Sequence, residues 1–150
     1  EIDFDNPTDI TVEAIISAKD LWTGEDDRDE HLRHADFFDV NNHPEIRFKG
    51  GRIKIISENE FQLTGDLTIR GVTKTVTLDT YYLGQWDTPF WEDAVDKGPL
   101  KRAGFIATTR INRHDYGVSW NDMLDKGGVV VGNRVDITID VEALLESDET

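Results

Sequence analysis

Apolar and polar residues alternate along several segments of this chain, with the period of two that is typical of a β-strand with one buried face. In segment 61–69 apolar residues or glycine occupy every second position over the whole length, which predicts the clearest strand of the sequence. Similar one-sided patterns predict strands at 10–16, 72–83, 103–111 and 135–141. Several strands with turn signals between them predict an all-β antiparallel sandwich or barrel and argue against a parallel α/β fold.

Two glycine positions shape the predicted sheet. The parity of segment 46–55 changes across Gly50 and Gly51, and a β-bulge at this pair would return the apolar side chains to one face. Arg70 and Gly71 separate two strand patterns and predict a tight hairpin turn.

Three segments break the strand pattern. Residues 31–38 predict a short helix that plugs or props the sheet, with Leu32 and Phe38 on one side. Residues 84–99 combine aromatic residues with proline and glycine, which predicts a long irregular loop of the kind that often covers a site. Residues 112–128 also predict an irregular stretch.

Composition narrows the classes of partner. The formal net charge is −15, which disfavours nucleic acid as a partner because such a field repels phosphate backbones. Apolar runs fall short of the ~20 residues that span a bilayer, so we expect no stable membrane insertion. The chain has no cysteine, which excludes disulfides and thiolate chemistry. The residues carry no export signal, which favours a cytoplasmic location, with the periplasm or secretion left open.

Several separated motifs are similar to those of the YceI-like family. They are Arg28-Asp29-Glu30-His31-Leu32, Asp36-Phe37-Phe38-Asp39, Pro44-Glu45-Ile46-Arg47-Phe48, Gly65-Asp66-Leu67-Thr68-Ile69-Arg70-Gly71-Val72-Thr73-Lys74, Ala103-Gly104-Phe105, Ile111-Asn112-Arg113 and Asp115-Tyr116-Gly117. The resemblance runs from about Ile2 to Leu145. It implies a single domain over 1–146, with a polar tail at 147–150, and a lipocalin-like antiparallel barrel of eight strands that encloses polyisoprenoids or other long-chain amphiphiles. It also implies a homodimer.

The start of the chain departs from the family pattern. Members begin with two further strands around a short helix. In this chain the first residues that resemble the family pattern are Ile2-Asp3-Phe4-Asp5, which correspond to the end of the second of those strands. On typical element lengths, roughly 20 to 30 residues of the pattern are missing. We therefore expect a barrel edge that is unpaired or filled by a partner strand.

The resemblance suggests a ligand site in the interior of the barrel, and the amphipathic residues of the loops suggest a site for a head group at its rim. The predicted lumen residues are Phe48, Phe61, Leu63, Leu67, Phe105, Ala107 and Ile137. Small residues on the same faces, such as Gly65 and Ala103, would leave room for a narrow tunnel; the alternative is a solid core. The predicted rim residues, which could instead only pack the loops, are Trp86, Trp91, Arg113, Tyr116 and Trp120. Among them, Arg113 would donate to a carbonyl or phosphate.

A metal site is the first alternative. His31 and His34 are three residues apart on the predicted helix and near several aspartates, but no motif supplies a convincing further ligand, so we predict no metal. Arg28 and Asp29 are better explained as an anchor between loop and helix.

An enzyme is the second alternative. His114, Asp115 and Ser119 supply the residue types of a hydrolytic triad, but no glycine-framed elbow surrounds the serine, so we predict no catalytic residue.

The sequence thus favours a non-catalytic protein, without a cofactor, that binds, sequesters or transports a polyisoprenoid, an isoprenoid quinone or a fatty-acid-like lipid. Two other functions stay open. One is a stress-related interaction protein with a solid barrel and a functional dimer surface. The other is a hydrolase or a metal-dependent enzyme.

Overall fold

The computed structural model describes residues 10–125 and 127–144, which leaves the predictions for Ile2 to Asp5 and for the tail 147–150 outside the described residues. Within these ranges the chain forms one antiparallel sheet whose strand order is the chain order. The strands are β1 (Val12–Ser17), β2 (Glu45–Ile55), β3 (Glu60–Ile69), β4 (Val72–Glu92), β5 (Val95–Asn112) and β6 (Arg134–Leu144). The sheet curls into a half-barrel, which confirms the all-β antiparallel class.

One face of the curled sheet carries the core, and we call it the inner face. Antiparallel partners that stand directly opposite each other point to the same side of a sheet. Leu63 of β3 is paired with Leu78 of β4, and Ala107 of β5 with Ile139 of β6, so alternate residues of successive strands meet on the inner face. The most buried apolar side chains there are Phe48, Leu63, Leu67, Ile69, Leu78, Phe105 and Ala107.

The predicted bulge in β2 is present. The register between β2 and β3 shifts between Gly50 and Arg52, which returns Ile53 to the inner face opposite Leu63. Gly65 does not leave room for a tunnel, contrary to the prediction. A Cβ at this position would lie 2.6 Å from the ring of Phe48, because that ring packs across the glycine.

The predicted turn between β3 and β4 is also present. Arg70 and Gly71 both have positive φ, of 50° and 73°, as a tight hairpin turn with two central residues requires. The guanidinium of Arg70 donates to the carbonyl oxygens of Gly117 and Ala35, each at 2.6 Å. The turn is therefore tied to the segments that cover this end of the half-barrel.

The irregular loop predicted for residues 84–99 is wrong, because the structure has a long hairpin there. Strand β4 continues to Glu92 and β5 begins at Val95. The turn consists of Asp93 and Ala94, with φ of 50° and 64°. Pro89 stands opposite Pro99 in a ribbon that extends beyond the paired parts of β3 and β6. Within the ranges that the structure describes, a missing N–H there breaks no ladder bond on the outer edges.

The predicted helix at 31–38 lies earlier in the chain. Helix α1 spans Asp26–Arg33 and begins with acidic residues, which favour the positive N-terminal end of a helix. Phe37 and Phe38 belong to the turns that follow it. The supporting role is retained, since Phe37 is buried in the core. A 3-10 turn at Arg113–Tyr116 begins the segment between β5 and β6.

Candidate functional site

The two ends of the half-barrel differ in how their interior is filled. At the end near the turn of Arg70, Phe37, Tyr116 and Val118 join the buried core cluster around Leu67. We call this the closed end. Its interior is solid, because the side chains that pack there are almost completely buried.

The opposite end of the inner face, which we call the open end, carries an aromatic cluster. The ring centroid of Phe105 lies 6.3 Å from that of Phe61 and 5.4 Å from that of Tyr82. Ile55 is paired with Phe61 and Val141 with Phe105, so both lie on the same face, and they are 58% and 42% exposed. Apolar inner surface is therefore accessible at this end.

The structure places all seven predicted lumen residues on the inner face, in two groups. Phe48, Leu63 and Leu67 are buried in the solid part of the core. Phe61 and Phe105 form the aromatic cluster of the open end, and Ala107 and Ile137 lie between the two groups. That these residues contact a ligand stays a prediction.

The five predicted rim residues do not form one rim. Trp86 and Trp91 lie on the β4–β5 ribbon, and a Cβ on Gly104 would lie 3.0 Å from the ring of Trp86. Arg113 and Tyr116 follow the other end of β5, about ten residues or roughly 30 Å of strand away. The predicted rim is thus divided between opposite ends of the sheet.

The contacts of Arg113 explain why its side chain is only 5% exposed. Its Nε donates to the carbonyl oxygen of Gly132 at 2.8 Å, and Nη1 donates to those of Val118 and Trp120, both at 2.8 Å. Nη2 donates to that of Val131 at 3.3 Å. Arg113 therefore clamps the two halves of the segment between β5 and β6. Its guanidinium has at most one N–H left for the predicted role as a donor to a ligand.

Trp120 belongs to an aromatic group at the closed end. Its ring centroid lies 4.8 Å from that of His31 and 5.4 Å from that of Phe37. Nε2 of His31 is 2.9 Å from Oδ2 of Asp36, while His34 lies 4.0 Å from a carboxylate oxygen of Glu30. Within residues 10–125 and 127–144, no three such side chains are placed to hold a metal ion.

Asp29 and Arg28 anchor the loop before α1, as predicted. Asp29 accepts hydrogen bonds from the hydroxyl and from the backbone N–H of Thr23, the latter at 2.9 and 3.0 Å. Nε of Arg28 donates to the hydroxyl of the same threonine at 2.8 Å. The hydroxyl of Thr23, its N–H and the charges of Arg33 and Arg28 hold the pKa of Asp29 below its usual value, against the opposing effect of burial.

A cleft separates β4 from β5 near the closed end, and no pattern in the sequence predicts it. It has a volume of about 520 Å³. Its walls are formed by Lys74, Thr75, Val76, Thr77, Thr109, Arg110, Ile111, Asn112, Asp115 and Tyr116. Lys74, Asn112, Asp115 and Tyr116 occur in the family-like motifs, but only the strand register shows that they face one another.

Comparison with known proteins identifies the family. The model of the YceI-like domain matches residues 1–143. The chain belongs to the YceI-like family. A UPF0312 protein of Pseudomonas putida (strain W619) is 34% identical over 86% of this chain and 59% of its own length. Protein YceI of Shigella flexneri is 35% identical over 93% of this chain and 65% of its own length. This YceI-like chain thus spans about three fifths of the length of these relatives.

Solved structures show the same fold. The YceI protein of Campylobacter jejuni superposes with a TM-score of 0.75 at 24% identity, covering 98% of this chain and 80% of its own. BcnA of Burkholderia cenocepacia superposes with a TM-score of 0.65 at 22% identity, covering 87% of this chain and 72% of its own. Within the described part of this YceI-like chain, no helix is long and apolar enough to cross a membrane.

Proposed function

We propose that this YceI-like chain binds a long-chain amphiphile on its inner face, with no covalent step. The amphiphile would be a polyisoprenoid, an isoprenoid quinone or a fatty-acid-like lipid. One observation carries the proposal: the apolar inner face continues from a solid core, past the aromatic cluster of Phe61, Tyr82 and Phe105, to the exposed side chains of Ile55 and Val141. A large accessible apolar surface on a protein is typical of a binding site.

The driving force would be desolvation. Covering about 200 Å² of apolar surface is worth about 5 kcal/mol, from which the cost of association is subtracted. Such a site discriminates by the length and shape of the chain, since few polar groups on the inner face can select a functional group. Sequestration or transport of the lipid follows from reversible binding of this kind.

The arrangement of the candidate triad supports a non-catalytic role. His114 and Asp115 lie exposed on the 3-10 turn, and Ser119 lies exposed after it. In the described part of the chain, no hydrogen bond joins their side chains, although a nucleophile and its base are normally within hydrogen-bond reach.

Organic extraction of freshly purified protein, followed by mass spectrometry, tests the proposal. A lipid released in a fixed ratio to protein is the expected result. As a second arm, the extracted protein is titrated with farnesol while its tryptophan fluorescence is recorded, and saturable binding is expected. A clean extract together with the absence of saturable binding would overturn the proposal.

A further inference from the structure

An apolar surface lies on the outer face of the sheet, which is the face opposite the core. Antiparallel sheets with one buried face usually present polar side chains on the other. Tyr81 of β4 is paired with Ile106 of β5. Their neighbours in the sequence, Tyr82 and Phe105, point inward, so Tyr81 and Ile106 point outward. The outer face therefore departs from the usual polarity next to the open end.

Three more apolar side chains extend this surface. Trp86 of β4 and Leu144 of β6 both stand opposite Arg102, which points to the same side of β5 as Gly104. Leu83 lies at a bulge of β4, and its Cβ is 3.5 Å from the position that a Cβ on Gly104 would take. We call the whole set the outer patch, and its members are Tyr81, Leu83, Trp86, Ile106 and Leu144. All of them except Ile106 are 42% to 58% exposed.

The indole of Trp86 lies in a space that Gly104 leaves open. A Cβ on Gly104 would lie 3.0 Å from this ring, and the φ of Gly104 is not positive, so the backbone itself does not require glycine there. The ring is thus seated against β5 before any partner binds. Tryptophan and tyrosine often dominate the binding energy of interfaces, and a side chain that is already fixed loses little freedom on binding. Trp86 and Tyr81 are therefore suited to anchor a partner.

The charges around the outer patch are mainly negative. Glu60 of β3 stands opposite Tyr81, and Asp140 of β6 stands opposite Ile106, so a carboxylate flanks the patch on each side. Within residues 10–125 and 127–144, neither carboxylate forms an ion pair. The patch therefore has an apolar centre between two free negative charges.

Arg102 also lies on the outer face, but its ion pair with Glu142 neutralises its charge. A second copy of the chain on this surface would bring two sets of free carboxylates toward each other, which opposes association. A partner with basic side chains around an apolar centre complements the patch in both respects. The charges thus favour a basic partner over a second copy.

The shape of the outer patch indicates the kind of element that covers it. The patch extends roughly 15 Å along β4 and roughly 10 Å across three strands. It lies on the face of the sheet rather than on an edge, so a partner strand has no backbone groups to pair with, whereas helices commonly pack on sheet faces. A helix of about four turns, roughly 21 Å long, has the length to cover it.

We propose that the outer patch docks a basic amphipathic helix of a partner protein. The apolar stripe of the helix contacts Leu83, Trp86 and Leu144, while lysine or arginine side chains along its borders face Glu60 and Asp140. This inference goes beyond the proposed function and is independent of it, because the proposed lipid site lies on the inner face.

The experiment uses the full chain and a fluorescein-labelled helical peptide of leucine and lysine, about four turns long, whose leucines form one stripe. Fluorescence anisotropy should show saturable binding of one peptide per chain. A peptide of the same composition in scrambled order has the same charge and no stripe, and it should bind about tenfold or more weakly. Replacing every lysine of the peptide by glutamate should abolish binding. Raising the salt from about 0.05 M to about 0.5 M should weaken binding of the leucine–lysine peptide several-fold.

Two pairs of variants test the location of the site. Leu83→Ser should weaken binding of the leucine–lysine peptide about tenfold, because it removes an apolar contact. Ile15→Ser is the matched control, since Ile15 is similarly exposed and lies on the outer face of β1. Asp140→Asn should weaken binding several-fold, and Glu13→Gln, also on the outer face of β1, is its control. Thermal unfolding of each variant establishes that the fold is retained.

Equal affinities for the striped and scrambled peptides, binding of the glutamate peptide, or equal effects of Leu83→Ser and Ile15→Ser would overturn the proposal. Sedimentation of the chain alone tests a second copy: a dimer that Leu83→Ser dissociates would assign the patch to self-association instead. Flotation with phosphatidylcholine vesicles tests a bilayer, and flotation that Leu83→Ser abolishes would likewise overturn the assignment to a helix. Leu83→Ser should bind farnesol as tightly as the unmodified chain, so the proposed function is tested separately.

Discussion

The ring of Phe48 occupies the space in which a side chain at Gly65 would lie. A Cβ at position 65 would come within 2.6 Å of this ring, and within 2.5 Å of the Cα of Gly50 on β2. The two glycines are directly paired across β2 and β3, next to the bulge. The curvature of the sheet and the packing of its core therefore depend on the same close approach.

Gly65→Ala should destabilise the fold by about 1 to 3 kcal/mol, because the ring and the paired strand have to move. Urea unfolding monitored by circular dichroism measures the change. Gly132→Ala is the control, since a Cβ there meets no atom within 4 Å. Equal stability of the two variants would contradict the packing of Phe48 described above.

Much of this region could be predicted from the sequence. The strict parity of segment 61–69 and the change of parity across Gly50 and Gly51 both follow from the requirement that one face of a strand be buried. The sequence could not show what fills the space at Gly65. That depends on which rotamer of Phe48 is allowed once the bulge has brought β2 close, and this is a property of the packed sheet.

The β4–β5 ribbon shows where such reasoning fails. Pro89, Gly98 and Pro99 are signals of irregular structure, and the turn residues Asp93 and Ala94 lack the glycine that usually marks a tight hairpin. The prolines are compatible with strands here because the ribbon extends beyond its neighbours and, among the described residues, has free outer edges. Only the register of the whole sheet reveals these free edges.

The candidate site was predicted only in part, for a similar reason. The alternation of apolar and polar positions indicated the inward residues Phe61 and Phe105, and these do form the aromatic cluster of the open end. Lys74 and Tyr116 are far apart in the sequence, and they face one cleft because the pairing of β4 and β5 stops at Asp79 and Thr108. The position at which a ladder ends is set by tertiary packing rather than by the local pattern.

A bulky residue at the open end should block ligand binding without disturbing the core. Val141 is paired with Phe105 on the inner face and is 42% exposed, so Val141→Trp has room to point into the open end. Displacing roughly 60 Å² of apolar contact should weaken farnesol binding about tenfold. Fluorescence titration measures the affinity.

The matched control for this substitution lies on the same strand. Thr138 is exposed and points to the opposite face from Ile137 and Ile139, so Thr138→Trp adds the same ring outside the half-barrel. We expect its affinity for farnesol to equal that of the unmodified chain. If both tryptophan variants bound farnesol as well as the unmodified chain, the inner face would not be the site.

Arg113 should contribute to stability rather than directly to ligand affinity. Arg113→Met would leave the carbonyl oxygens of Val118, Trp120 and Gly132, which are buried or half-buried, without this donor, and we expect a loss of about 3 kcal/mol in the free energy of unfolding. Arg47→Met is the comparison, because it removes an exposed ion pair with Glu45 and should cost at most about 1 kcal/mol. Urea unfolding of the two variants is the measurement, and similar losses would refute the clamp.

Asp29 should make the stability of the fold sensitive to acid. Its pKa in the folded chain is lowered, chiefly by the hydrogen bond from the hydroxyl of Thr23, relative to about 3.9 in an unfolded chain. A lowered pKa means that the stabilisation is complete above the unfolded value and is lost as the pH falls through the folded value. Asp29→Asn should therefore be less stable than the unmodified chain at pH near 7, and this difference should shrink as the pH is lowered below about 4.

Urea unfolding at a series of pH values measures this difference. Asp27→Asn is the control, since it removes a carboxylate of α1 that, in the described part of the chain, forms no hydrogen bond with Thr23. Other carboxylates that titrate in acid, such as Asp136 beside Arg110, are present in both variants and cancel in the comparison. A stability difference for Asp29→Asn that stayed constant from neutral pH to below pH 3 would show that its bonds to Thr23 do not favour the ionised carboxylate.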